Sequence, residues 1–420
     1  VTQQDRCAVI VAGITVAAWT EIEITRDLSE LSGSFTLRGL DFVRLAAALG
    51  QPQAAPAAVL QAGDAVQISL DGDLVLDGYV DRVSLRADVG GLTIELTGRD
   101  KAGDLVDCAA APDGPVEYRS QTLTQIADAL ARPFGLTVTA DADVGPPLAL
   151  FGLDASETAA AALARAARQR GLLVVSDGVG GLRLTSGGQG EIPAAAALRF
   201  GQNILLVDAL LSWEERYSAI WVKGQSAAAW MAYDGVEPIG PDAAPGITAP
   251  IAATPDAAAT RTARSRVALG AQAEDPEITR YRPRVLLSET QAGGATAATQ
   301  AAWAVRVARS AGRTASYTVA DWRAGAVREL WRPNTIVTVD DPYTGLTEEM
   351  LLAGLTYQWT EAGARTCLRV IGRHALDLVA ETEAPRPQLT GRAAPRRAPV
   401  VRGGASPRVL DGTAYPLTAG

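Results

Sequence analysis

The sequence predicts a mainly β protein with an α/β insert: two related β-barrel domains, a small α/β domain, and an extended C-terminal tail. Three observations carry this expectation. A strand pattern occurs twice, near opposite ends of the chain. Apolar and polar residues alternate inside both copies, the period-2 signature of strands with one buried face. Between the copies the alternation gives way to helical spacing.

The closing segments match first. Leu92-Thr93-Ile94-Glu95-Leu96-Thr97-Gly98-Arg99-Asp100 is followed by Leu105-Val106, and Arg365 to His374, through Leu368-Arg369-Val370-Ile371-Gly372, is followed by Leu378-Val379. Each follows a second matched segment, Leu76-Asp77-Gly78-Tyr79-Val80 and Leu352-Ala353-Gly354-Leu355-Thr356-Tyr357. The openings pair as well. Ile22 to Arg26 leads to Gly33 to Gly39, and Leu210 to Trp213 leads to Ser218 to Gly224. A chain of this kind presents two quasi-equivalent surfaces, which bears on assembly more than on chemistry.

Residues 1–105 form the first expected β-barrel. Alternation runs through Ile22/Ile24, Phe35/Leu37, Val66/Ile68/Leu70 and Ile94/Leu96, and turns fall at Asp71-Gly72 and Gly90-Gly91. The apolar run Cys7 to Trp19 follows Arg6 as a signal-peptide core would, but its β-branched residues, Gly13 and its continuation into Glu21 to Ile24 favour a β-hairpin. Leu40 to Gln61 is rich in Ala and Pro and reads as a helical turn and a loop.

Residues 106–195 form the α/β insert. Thr122 to Leu130 has helical spacing and stops before Pro133; Phe134 to Thr139 reads as a strand. A helix follows from about Ser156 to Arg170, with Asp154 or Ser156 as N-cap and Gly171 at its end. Leu172 to Val175 and Leu182 to Thr185 flank Asp177-Gly178 as a hairpin.

Residues 196–384 form the second expected barrel, with an excursion at about 235–312. Gly235 to Asp256 reads as a loop, and Pro255 to Gly270 and Gln291 to Ser310 as Ala-rich helices. Strands resume at Ala315 to Asp321 and Thr335 to Val339. Residues 385–420 hold six prolines and six arginines against one acid, Asp411, and read as an extended tail.

The net charge of −9 disfavours a general nucleic-acid binder, which presents a basic face to phosphate. Cys7, Cys108 and Cys367 are sparse and lack metal-ligand spacing, so free thiols from a reducing compartment are expected. No apolar run approaches the roughly 18 residues of a membrane helix.

Candidates for chemistry are few. The one histidine, His374, excludes a His-cluster metal site, and any Ser-His or Cys-His catalysis would have to use it. It falls at a strand end, in the slot that Asp100 holds in the first copy. Gly178-Val179-Gly180-Gly181 lies inside a hairpin, not between a strand and a helix, so it is not a phosphate loop. Asp340-Asp341, Glu348-Glu349 and Glu214-Glu215 are paired acids, but neighbours on a strand point to opposite faces and loop acids are solvated. Trp213, Trp221, Trp331 and Trp359 lie in or beside expected strands and read as core. Arg99 and Arg373 recur at one slot, either as strand-end arginines covering a barrel rim or as charged contacts repeated around a ring. No catalytic, metal or cofactor-binding residue is assigned.

Several motifs together resemble the baseplate hub family of Mu-like contractile-tailed bacteriophages. They are Gly63-Asp64, Gly78-Tyr79-Val80-Asp81, Leu96 to Asp100 and Gly103 to Asp107; Thr122 to Ala127; Ser176-Asp177-Gly178 with Gly181-Leu182; Glu274-Asp275-Pro276, Arg280 to Pro283 and Glu289 to Ala292; and Trp331 to Thr335, Asp341-Pro342 and Leu351 to Thr356. Their order covers roughly residues 5–380. The resemblance implies a structural, non-enzymatic protein of the virion tail, assembled in the host cytoplasm: a homotrimer of two-barrel chains joining tail tube to spike. Its partners would be tube, spike and other baseplate proteins, with tape-measure protein or DNA passing the lumen. Two barrels taken three times give a pseudo-sixfold ring, able to seat a sixfold tube on one face and a threefold spike on the other. Arg99, Arg373, Arg386, Arg396 and Arg397 are the interface candidates. Two other readings stay open: a tail-associated cell-wall hydrolase, and a spike or hub component of a contractile secretion system.

Overall fold

The computed structural model describes residues 6–16, 19–39, 60–88, 91–154, 156–191, 196–225, 268–287, 294–325 and 328–378. The expectations for most of Leu40 to Gln61, for Gly235 to Asp256 and for the tail 385–420 lie outside the described residues.

Seven strands open the chain: β1 (Cys7–Val11), β2 (Ile14–Val16), β3 (Glu21–Asp27), β4 (Ser34–Gly39), β5 (Ala65–Leu70), β6 (Asp73–Asp88) and β7 (Gly91–Asp100). The expected hairpin is β1–β2. Val11 pairs with Ile14 across Ala12 and Gly13, both at positive φ (49° and 81°), the backbone that a two-residue turn between twisted strands requires. Val9 and Val11 point inward, as do Ile22 and Ile24, Phe35 and Leu37, and Val66, Ile68 and Leu70.

The insert holds α1 (Gly103–Asp107), β8 (Glu117–Gln121), α2 (Leu123–Ala131), β9 (Thr137–Ala140), β10 (Leu148–Gly152), α3 (Ala159–Arg168), β11 (Leu173–Ser176) and β12 (Gly181–Thr185). Its own core gathers Leu123, Ile126, Leu130, Phe151, Leu163 and Leu184. A capping box starts α2: the Thr122 hydroxyl accepts from Gln125 N–H and the Gln125 side chain accepts from Thr122 N–H. The cap of α3 is Thr158, not Asp154 or Ser156; its hydroxyl accepts from Ala161 N–H at 3.2 Å. Asp154 sits in the turn before, its N–H donating to the Glu157 carboxylate. The β8–β10 ladder was not anticipated, because Glu117–Gln121 is largely polar and exposed and shows no clear alternation.

The rest comprises β13 (Gly190–Glu191), β14 (Leu198–Arg199), β15 (Ile204–Leu211), β16 (Ala219–Gln225), β17 (Ala268–Glu274), β18 (Pro283–Leu287), α4 (Gly294–Ala311), β19 (Arg313–Ala320), β20 (Arg323–Ala324), β21 (Glu329–Leu330), β22 (Thr335–Asp340), β23 (Glu349–Thr360) and β24 (Gly363–Gly372). Strands β16, β17 and β18 form a separate sheet against α4, with Val222, Ala297 and Ala301 between them. Residues 268–270 therefore begin a strand where a helix was expected. Alanine content favours a helix locally, but pairing with β16 decides.

The large sheet runs β15-β19-β24-β23-β3-β4-β7-β6-β5-β1-β2. The order β3-β4-β7-β6-β5 in the first half recurs as β15-β19-β24-β23-β22 in the second. The details recur too. Asp88 pairs with Gly91 at one hairpin end and Thr360 with Gly363 at the other. Each long strand then bulges at the same distance from its hairpin, at Asp81 and at Ala353. Gly63 (φ 94°) donates its N–H to Val80 O, and Asn334 (φ 66°) donates to Leu352 O, so both units enter β5 or β22 through a left-handed residue. The likeness ends at the next strand, where β1 runs antiparallel to β5 but β13 and β14 run parallel to β22.

This register corrects the sequence matches: Gly78 corresponds to Met350 rather than Gly354, and Ile22 to Val207 rather than Leu210. The counterpart of β4 is β19, not Ala219–Gln225, which lies in the separate sheet; the segment between β15 and β19 interrupts the repeat. The closing strands also slip by two residues relative to the sequence match. Leu96 corresponds to Leu368, so Arg99 corresponds to Ile371, and Asp100 to Gly372 rather than His374. The tryptophan expectation divides: Trp331 is buried and Trp359 packs on Trp322, whereas Trp213 and Trp221 are exposed.

Candidate functional site

The two units meet strand to strand. β3 of the first unit pairs antiparallel with the far half of β23, Ile22 opposite Trp359 and Asp27 opposite Gly354. Along the seam Gln358 Nε2 donates to Glu23 Oε1 at 3.0 Å, and the Thr25 and Thr356 hydroxyls lie 3.0 Å apart. One continuous core runs beneath, joining Ile24, Leu37, Ile68 and Leu96 to Tyr317, Val337, Leu355 and Leu368.

Charge pairs lock the seam. Arg369 donates through Nε and Nη2 to both oxygens of Asp27, at 2.7 and 2.5 Å. Burial works against the Asp27 carboxylate, but hydrogen bonds from Arg369 and Ser29 hold it below the usual carboxylate range. Arg6 grips Asp71 and also reaches Asp321, while Arg323 reaches back to Asp71 and Asp73. The insert is tied in by Asp100. Its carboxylate accepts from Gly33 N–H, Ala102 N–H and Ser176 Oγ, yet burial dominates and pushes it up. A cleft of about 350 Å³ opens where insert and units converge, lined by Arg26, Val75, Ser176, Arg332, Asn334 and Tyr357.

The residues considered for chemistry take part in hydrogen bonds and ion pairs. His374 is exposed, with Nδ1 3.0 Å from Asp377 Oδ2. Asp341 is fully buried and accepts from Tyr317 Oη, Thr344 Oγ1 and Tyr343 N–H, closing a turn. Glu348 and Glu349 pair with Arg313 and Arg373. Among the described residues no group of three His, Cys, Asp or Glu side chains is placed to hold a metal. Gly178 and Gly180, both at positive φ, lie in the turn between β11 and β12. Cys7 is buried, Cys367 half-buried and Cys108 exposed, and all three are free thiols.

Arg99 and Arg373 occupy different places. Arg99 lies between Asp81 and Asp107, with Nε 2.7 Å and Nη2 2.5 Å from them. Arg373 pairs with Glu349 beyond the end of β24. Arg386, Arg396 and Arg397 lie outside the described residues. Sequence reasoning missed the β3–β23 seam, since partners more than three hundred positions apart leave no local signal.

Three family models match separate parts of the chain. Residues 6–100 match the Mu phage baseplate assembly protein GpP-like N-terminal domain, and 102–186 the second domain of baseplate hub protein gp44-like chains. Residues 293–379 match the fourth domain of Mu phage baseplate assembly protein GpP. The baseplate hub protein gp44 of Escherichia phage Mu is 28% identical over 348 residues, 82% of this chain and 81% of that protein. The crystal structure of a 43 kDa tail protein of prophage MuSo2 from Shewanella oneidensis is 30% identical, with a TM-score of 0.69 over 88% of this chain and 99% of that one. A tail protein structure from Neisseria meningitidis MC58 shares the fold at 21% identity, with a TM-score of 0.65 over 89% and 99%. The chain belongs to the baseplate hub family of Mu-like bacteriophage tails.

Proposed function

We propose that this chain is the hub of a tail baseplate, acting as a symmetry adaptor between tail tube and central spike. The observation that carries the reading is the repeat of five strands in one order, joined by the β3–β23 seam. Two related units per chain and three chains give six similar units in a ring. A sixfold tube then meets six similar surfaces, while the differences between the units leave threefold symmetry for a spike. The division into a first barrel (1–105), an insert (106–195), a second barrel (196–384) and a tail (385–420) is part of this proposal. The proposed lumen admits tape-measure protein or DNA, and an acidic wall keeps phosphate from sticking. In this reading Arg99 and Arg373 are rim charges, and Arg386, Arg396 and Arg397 contact neighbouring subunits. The protein is structural and takes its place in the virion tail after assembly in the host cytoplasm.

Native mass measurement of the purified assembly tests this. Three copies, with six similar lobes in end-on electron-microscope averages, are expected. One, two or six copies per ring would contradict the reading. Clearing of a peptidoglycan zymogram by the purified protein would replace it with the hydrolase reading.

A further inference from the structure

The repeat makes the intrachain seam a template for a second, intermolecular one. In the second unit, β22 covers only the near half of β23, Glu349 to Leu352, and β3 covers the far half from Gly354 to Trp359. In the first unit, β5 likewise covers only the near half of β6, up to Tyr79. The far half, from Asp81, pairs with β7 on one edge and with no strand on the other among the described residues. Its side chains are correspondingly open. Leu85 is 45% exposed, while its counterpart Tyr357 is 2% exposed under β3.

The counterpart of β3 is equally bare. Among the described residues β15 pairs with β19 on one edge only, and it ends the sheet. Four of its leucines are exposed: Leu205 58%, Leu206 61%, Leu210 67% and Leu211 57%. A long apolar edge strand is a template for pairing with another chain, and soluble proteins normally blunt such edges with charge, proline or cover. β15 holds no proline and a single charge, Asp208, and among the described residues no strand covers this edge.

We propose that β15 of one copy pairs antiparallel with the far half of β6 in a second copy, reproducing between chains the β3–β23 seam within each chain. The register follows from the intrachain seam. Val207 faces Ala87, Ala209 faces Leu85 and Leu211 faces Val83, and Asp208 meets Arg86 where Glu23 meets Gln358. Within one chain β15 and β6 sit far apart in strand order, so the occupant is another copy. The contact is head to tail, and repetition gives a ring where the rotation between copies closes, as the ring reading requires. This rests on the ring reading above and names the strands that make it.

The test is site-directed cross-linking of the full chain carrying Cys108→Ser. Directly opposed positions, Ala209→Cys with Leu85→Cys, should link through a short thiol reagent spanning about 5 Å and yield a covalent trimer on a denaturing gel. The pair shifted by one, Leu210→Cys with Leu85→Cys, puts its thiols on opposite faces and should link at least tenfold less. Linkage of the matched pair alone supports the proposal. An assembly that sediments as an oligomer without matched linkage overturns the seam and leaves the ring reading standing. A chain that is monomeric in sedimentation overturns both. The exposed-site variant Leu210→Lys/Leu211→Lys should keep the wild-type circular dichroism and sediment as a monomer; persistence of the wild-type oligomer overturns the seam.

Discussion

Asp27 and Arg369 show how a single pair fixes the meeting of two distant segments. Asp27 is half-buried and bidentate with Arg369, and its pKa lies below the ordinary value near 4. A depressed carboxylate contributes stability above its unfolded pKa and loses it as pH falls through the folded value. Asp27→Asn should therefore cost about 1–2 kcal/mol at pH 7, and the gap from wild type should close below about pH 4, read as urea midpoints at the two pH values. A gap that stays constant with pH would mean that the loss is steric. The cysteines make a second test. Burial pushes Cys7 up to about 12 and also raises Cys367, while Cys108 stands exposed. A thiol reagent at pH 7.5 should label Cys108 at once, Cys367 slowly, and Cys7 only on unfolding. Mass analysis of the denatured, unreduced chain should find no disulfide; one would contradict assembly in a reducing compartment.

At the scale of elements, the bulged hairpin β6–β7 depends on Gly78 and Gly98, placed where the backbones of the two strands approach closely. A Cβ on Gly98 would lie 2.0 Å from Tyr79 O and 2.6 Å from Phe35 Cζ. Gly98→Ala should cost about 3 kcal/mol, measured by denaturant unfolding. Adding Phe35→Leu should recover only part of the loss, because the Tyr79 carbonyl is backbone and cannot move aside. These glycines were legible as part of a repeated motif, and so were most strands of the first unit, where Val, Ile and Leu alternate strictly. The repeat itself was legible, but its register was not. Gly98 and Gly372 look alike in sequence, yet the bulges at Asp81 and Ala353 set the alignment, and a bulge depends on pairing that no local pattern records. The match of β4 to Ala219–Gln225 failed for a related reason. The segment carrying β16, β17, β18 and α4 enters between β15 and β19, and its strands alternate as well as those of the large sheet. Trp213 and Trp221 were read as core because they lie in or beside expected strands, but Trp213 follows the end of β15 and Trp221 lies in the separate β16 sheet, and both are exposed.

For the whole molecule, the remaining question is what residues 385–420 contribute. They lie outside the described residues, and their composition sets the expectation. Six arginines oppose one acid in a chain of net charge −9, so the segment has the charge to bind acidic surfaces on its own kind. It has few large apolar side chains to offset an ordering cost of about 1–2 kcal/mol per residue, and six prolines that favour extended stretches. At about 3 Å per residue it can reach on the order of 100 Å, enough to cross a neighbouring subunit. Val400-Val401, Val409-Leu410 and Tyr415-Pro416-Leu417 offer apolar anchors along the way. Truncation after Ala384 should leave the thermal midpoint of the subunit unchanged, because the large sheet and its core are built from residues between Cys7 and Gly372. If the segment is an arm that docks on an adjacent hub chain or on the spike, the truncated chain should assemble less completely at equal concentration, and the deficit should shrink as salt screens the arginine contacts of the full chain. A truncated chain that forms rings and takes up spike as well as the full chain does would show that the segment binds neither.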